Sequence, residues 1–193
     1  MAQPPKLLAF AGSARVASFN KKLVQVAAAA AEAGGAAVTV ADLAHYPMPL
    51  FNEDLEAEQG LPQSVLQFKD LLKNHDGFLI ACPEYNGSIT PLLKNAIDWA
   101  TRPAPGEPGL LCFRDKVAAL LATSPGALGG IRGLVHVRAI LSGLGVLVLP
   151  QQKAIPQGHQ AFDDRGQLID PDQAAAVRDI AHKLVTVTRQ LHA

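Results

Sequence analysis

Apolar residues alternate along this chain between two rhythms. Short, nearly continuous apolar runs occur at 6–10, 38–42, 77–82, 116–122 and 146–149, and each is too short for a helix. Between them, apolar positions recur at helical spacing. Residues 19–33 carry Leu23, Val26, Ala27 and Ala30 on one side and stop at Gly34-Gly35. Residues 64–74 carry Val65, Phe68, Leu71 and Leu72. Three further helices are predicted over 91–100, 131–144 and 171–192. The stretch 43–62, with Pro47 and Pro49, reads as a long loop. Residues 83–88 also read as a loop, 103–108 as a surface connection, and 150–170 as irregular with a turn at Asp163–Gly166.

Five repeats of strand then helix predict an α/β fold, a doubly wound five-stranded parallel sheet of order 2-1-3-4-5 with helices on both faces. Four of the five strands are apolar throughout, as strands covered on both faces should be. One domain spanning 1–193 accounts for the whole pattern. Ligands of such sheets bind outside the carboxyl ends of the strands, at the switch point. Three loops therefore converge on one crevice: 11–20, 83–90 and 123–130.

Composition narrows the chemistry. Hydrophobic residues make up 49% of the 193 and charged residues 18%, which excludes a disordered chain. Lys plus Arg and Asp plus Glu both total 17, so the basic excess of a nucleic-acid binder is missing. Cys82 and Cys112 form no C-x-x-C pair and read as buried, reduced thiols. No run approaches the ~20 apolar residues of a membrane span, and the apolar stretch after Lys6 reads as a first strand rather than a leader. A cytoplasmic protein is expected. The six histidines show no metal-binding spacing, and no G-x-S-x-G elbow suggests a hydrolase.

The first loop leads from a strand into a helix N-terminus, where the dipole and free N–H groups favour an anion. Ser13, Ser18 and Asn20 add short polar groups, and Arg15 adds a charged fork suited to phosphate oxygens. Ser18 or Asn20 is also expected to cap the helix. Neither G-x-x-x-x-G-K-[ST] nor G-x-G-x-x-G is present. In the second loop, Tyr85 offers a flat face, Gly87 permits close backbone approach, and Asn86 and Ser88 offer hydrogen bonds. Asn86-Gly87 is equally the composition of a simple turn. Trp99 reads as a packing or subunit-contact residue. In the third loop, Ser124 and Gly126 are the candidate contacts for a flat ring, and His136 is the one histidine near enough to reach the crevice.

These residues resemble the NADPH-dependent FMN reductases, a flavodoxin-like family that includes quinone, chromate and azo-dye reductases. The likeness rests on Gly12-Ser13-x-Arg15-x-x-Ser18-x-Asn20 and on Pro83-Glu84-Tyr85-Asn86-Gly87-Ser88 followed by Leu93–Trp99. Ser124, Gly126, Gly129-Gly130 and Arg138 add to it. It runs from about Lys6 to about Leu149. Thr90-Pro91-Leu92 departs from it, since the family more often has Pro-Gly or Pro-Ala there. The resemblance implies that Ser13, Arg15, Ser18 and Asn20 bind the FMN phosphate. It implies that Pro83, Glu84, Tyr85, Asn86, Gly87 and Ser88 line the flavin ring, with Ser124 and Gly126 nearby. It further implies NADPH or NADH as electron donor, a small-molecule acceptor, and a homodimer or homotetramer with the 91–100 helix at the subunit contact. No catalytic side chain is implied, because the flavin carries the chemistry. Two other readings compete. Asp42, ending the second strand, could bind a ribose in an NAD-linked dehydrogenase; the single Gly12 argues against it. A non-catalytic flavin carrier or sensor would share the fold, but zero net charge weakens the steering such a carrier uses.

Overall fold

The computed structural model describes residues 3–192; residues 1–2 and 193, at the ends of the expected domain, lie outside the described residues. Five parallel strands form the central sheet: β1 (Lys6–Ala11), β2 (Ala37–Asp42), β3 (Gly77–Ala81), β6 (Val117–Thr123) and β7 (Leu147–Ile155). Their order is β2-β1-β3-β6-β7, the 2-1-3-4-5 arrangement read from the apolar runs. A separate two-stranded hairpin, β4 (Glu84–Tyr85) with β5 (Ser88–Ile89), occupies the segment expected as loop.

The helices cover both faces. α1 (Phe19–Ala33) and α6 (Pro171–Leu191) pack on one, through Leu23, Ala27, Val177, Ala181 and Leu184. α3 (Gln63–Lys73), α4 (Pro91–Thr101) and α5 (Ile131–Gly143) pack on the other, through Phe68, Leu72, Leu93, Ile97, Leu134 and Val137. β3 and β6 are wholly buried, which is why their sequences carry no polar alternation. Each buried leucine or phenylalanine side chain contributes about 1.5–3 kcal/mol to this arrangement.

The segment 43–62 is more ordered than its prolines suggest. Asp42 caps a 3-10 turn at Leu43–His45, and Asn52 caps a short helix, α2 (Glu53–Gln59). α2 buries none of its residues, so it has no apolar periodicity to read. Its helicity rests on the Asn52 cap and on three acids, Glu53, Asp54 and Glu56, at the positive end of the dipole. α4 latches the segment down. Asn95 Nδ2 and Trp99 Nε1 both donate to Pro49 O (2.9 and 2.8 Å), and Phe51 N donates to Asn95 Oδ1 (2.8 Å). Trp99 is fully buried and meets Phe51 edge-on at 5.0 Å, so packing is the role the structure gives it.

β7 runs six residues past the expected end at Leu149. The β6–β7 register jumps between Ala118, opposite Val148, and Leu120, opposite Gln152. Pro150 sits in this irregularity, where its missing N–H costs no ladder bond. Arg138 of α5 fills the gap, donating to Leu149 O (2.7 Å) and Gln152 Oε1 (2.9 Å). Arg138 thus shapes the sheet edge.

Candidate functional site

β1, β3 and β6 end side by side, so the loops after them share one rim of the sheet. Gly12 N donates to Ala81 O (3.0 Å), holding the first loop against the end of β3. Gly12 is tightly packed: a Cβ there would stand 3.0 Å from Leu93 Cβ and 3.2 Å from Pro83 Cδ, so these neighbours would have to give way by a few tenths of an ångström.

Ser13 and Ser18 are buried, whereas residues 14–17 between them are exposed. Ser13 Oγ accepts from Arg15 N (3.3 Å), and the Arg15 guanidinium stands 5.2 Å from the Phe19 ring centre. Ser18 occupies the N-cap position of α1, but its side chain makes no cap bond. Nor does Asn20 cap, which corrects the expectation that one of the two would. The amide of Asn20 goes elsewhere: Nδ2 donates to Thr123 O (2.8 Å) and Oδ1 accepts from Thr123 N (3.0 Å). It ties the first turn of α1 to the end of β6. The opening N–H groups of α1 are therefore left for an anion, with Ser13, Ser18 and Arg15 beside them and no acid in the first turn.

The hairpin forms the second wall. Asn86 and Gly87 both have positive φ (+52° and +81°), the pair that a two-residue I′ turn requires. Asn86-Gly87 therefore forms the turn its composition predicts, and the turn lifts Tyr85, 56% exposed, onto the rim. Glu84 points away, into α5. Its carboxylate accepts from Arg132 N (2.9 Å), Gly133 N (3.2 Å) and Arg132 Nε (2.7 Å). It supplies the N-terminal cap that Gly130 lacks. Burial works to raise the Glu84 pKa, but the Arg132 hydrogen bond and the two backbone N–H groups outweigh it and hold the carboxyl below its ordinary value. Ser88 Oγ lies 2.8 Å from His136 Nδ1, so His136 does reach this wall.

Ser124 and Gly126 open the third wall. A Cβ on Gly126 would meet only Ser124 Oγ, at 3.9 Å, so the loop borders open space there. A fourth segment, invisible in the sequence pattern, closes behind it. Gly158 N donates to Ser124 O (2.9 Å) and Gln157 N to Gly126 O (3.2 Å). Gly158 is packed so closely that a Cβ would stand 2.5 Å from Thr123 Oγ1. Thr90 is another residue the motif reading left without a role. It caps α4 just before Pro91, and that Thr-Pro pair is a helix-start signal. Thr123 carried no comparable signal.

Asp42 faces Lys21 (2.6 Å) and accepts from Ala44 N (3.0 Å), which makes it a loop cap and ion-pair partner. Among the described residues no group of three or more His, Cys, Asp or Glu is placed to hold a metal.

An uncapped helix start with an arginine and two buried serines, flanked by an I′ hairpin and a glycine loop, suits a phosphorylated flat-ring ligand. The sequence profile of the NADPH-dependent FMN reductases matches residues 5–160. The chain belongs to that family. Membership makes it an oxidoreductase that works with FMN and NAD(P)H. An NAD(P)H-dependent FMN reductase of Pseudomonas aeruginosa is 35% identical over 192 residues, covering 99% of each chain. A probable NADPH:quinone oxidoreductase of Oryza sativa subsp. japonica is 33% identical, over 91% of this chain and 84% of its own length. Among solved structures, a flavoenzyme NAD(P)H:(acceptor) oxidoreductase from Paracoccus denitrificans superposes with a TM-score of 0.81 at 30% identity. The alignment covers 96% of this chain and 98% of that one. As an FMN reductase family member, the chain offers a donor set that fits the flavin phosphate, namely open helix N–H groups, two hydroxyls and a guanidinium.

Proposed function

We propose that this chain is an FMN-dependent NAD(P)H oxidoreductase that reduces a small acceptor, such as a quinone, an azo compound, a metal oxyanion or free flavin. The open N-terminus of α1, left uncapped beside Arg15, carries the reading. Bound FMN supplies the hydride and electron chemistry. The protein supplies position. Ser13, Ser18, Arg15 and the first N–H groups of α1 hold the phosphate, while Asn20 holds α1 to β6. Pro83 to Ser88 border the ring through the hairpin backbone and Tyr85, with Ser124 and Gly126 opposite. Glu84 acts from behind the hairpin, anchoring it to α5.

The zero net charge and the absence, among the described residues, of any helix long and apolar enough to cross a membrane support a cytoplasmic enzyme meeting small substrates. A homodimer or homotetramer is the assembly this reading carries. The 91–100 helix turns Leu93, Ala96, Ile97 and Trp99 inward, so any subunit contact there uses its polar side.

The visible spectrum of the FMN-loaded protein, before and after anaerobic NADPH and, separately, NADH, tests the assignment. A flavin band that bleaches is expected. A bound flavin that both NADPH and NADH leave oxidised would replace the reductase with a carrier or sensor, and failure to bind FMN would refute both.

A further inference from the structure

Thr90 stands where the phosphate loop and the ring loop meet. It is 2% exposed and belongs to the second loop by sequence, yet its hydroxyl serves the first. Thr90 Oγ1 donates to Gly12 O at 2.7 Å, across 78 residues of chain, and accepts from Leu93 N at 3.2 Å. One hydroxyl has one proton, and here it is spent on the carbonyl immediately before Ser13. The amide of the same glycine is held by Ala81 O. Gly12 is thus fixed at both its polar groups, and Leu93 and Pro83 pack closely against it. Among these restraints, Thr90 supplies the side-chain hydrogen bond that ties the start of the phosphate loop to the end of the hairpin.

We propose that Thr90 is a positioning residue that pre-sets the distance between the phosphate-holding and ring-bordering loops, so that FMN is retained as a resident group rather than exchanged at each turnover. The proposal rests on the FMN reading above. A ligand that spans two loops binds more tightly, and leaves more slowly, when both are already in place, because ordering them costs nothing at binding. Without the hydroxyl, Gly12 O and Leu93 N lose their partner in a buried place, and the spacing of the two loops rests on the Gly12 N–Ala81 O bond and on packing against Leu93 and Pro83 alone. Asn20 provides the corresponding tie between α1 and β6, so Thr90 completes a brace around the crevice.

The rate of FMN release, read as recovery of flavin fluorescence after dilution of the loaded protein, tests this. Thr90→Val should release FMN roughly tenfold faster than wild type, the size expected from losing a buried hydrogen bond. Thr90→Ser keeps both bonds and should stay within about twofold. Leu184→Ala, in the core on the α6 side, provides a control that is destabilised without touching the loops; its release rate should match wild type. Should Thr90→Val fail to fold, Thr90→Ala is read in the same way. Release from the folded Val or Ala variant at the wild-type rate, or equal acceleration in Leu184→Ala, would overturn the positioning role alone. A wild-type protein that binds no FMN would overturn the cofactor assignment and this role with it.

Discussion

Arg15 and Glu84 show how differently two charged residues of one site can act. Arg15 lies on an exposed loop, with its guanidinium 5.2 Å from the Phe19 ring centre. The proposed role gives it a ligand phosphate instead. Arg15→Ala should therefore leave the stability of the free protein within about 0.5 kcal/mol. FMN affinity should fall by the ~1.5–3 kcal/mol of a charge-assisted bond, as a flavin titration would read. Glu84 is the reverse, with its carboxylate already engaged by Arg132 and the start of α5. Because its folded pKa lies below that of the unfolded chain, the stability it adds is present above the unfolded pKa. That stability is lost as pH falls through the folded value. Glu84→Gln should lower stability near neutrality by about 1–3 kcal/mol. It should also flatten the acid limb of urea midpoint against pH. An unchanged acid limb would refute the role assigned to Glu84.

At the scale of elements, the hairpin β4–β5 and the 43–62 segment depend on their connections more than on apolar content. Gly87, at φ +81°, has open space around an added Cβ, with the nearest atom of Arg132 3.9 Å away. Gly87→Ala should therefore cost about 1–2 kcal/mol through backbone strain alone. The loss would appear in chemical unfolding, and Gly126→Ala, where no positive φ is required, should cost less. The 43–62 segment hangs on α4 through Asn95 and Trp99. Trp99→Phe keeps an aromatic ring but removes the bond to Pro49 O and leaves part of the indole's buried volume empty, a combined loss of about 2–3 kcal/mol. Trp99→Ala adds a cavity and should cost about 3–5 kcal/mol. Calorimetric unfolding of the two variants separates these contributions.

Across the whole molecule, the sheet hides both thiols. Cys82 ends the β3 run and Cys112 lies beneath α3, and burial pushes both thiol pKa values upward. A thiol-reactive disulfide reagent should label neither in the native protein at mildly alkaline pH and both in denaturing urea. Native labelling would mean that the core opens locally around them.

The order of the sheet, the five helices packed on it and the three loops at its rim were all legible in the sequence. Burial imposes a local signature: a strand covered on both faces must be apolar at every position, and a helix covered on one must repeat its apolar residues every three or four. The uncapped start of α1 beside Ser13, Arg15 and Ser18, which the proposed phosphate site uses, follows a related local logic, since a loop entering a helix start creates its anion preference within a few residues. α2 escaped because it buries nothing. The tertiary structure alone decided where the polar side chains spend their bonds. Asn20 finds Thr123 across 103 residues, Thr90 finds Gly12 across 78, and Glu84 finds Arg132 across 48. No periodicity encodes such pairs. The first two exist because the fold removes water from both partners at one place, and the third because it buries the Glu84 carboxylate beside the start of α5; a buried donor or acceptor must be satisfied by whatever the chain has brought beside it.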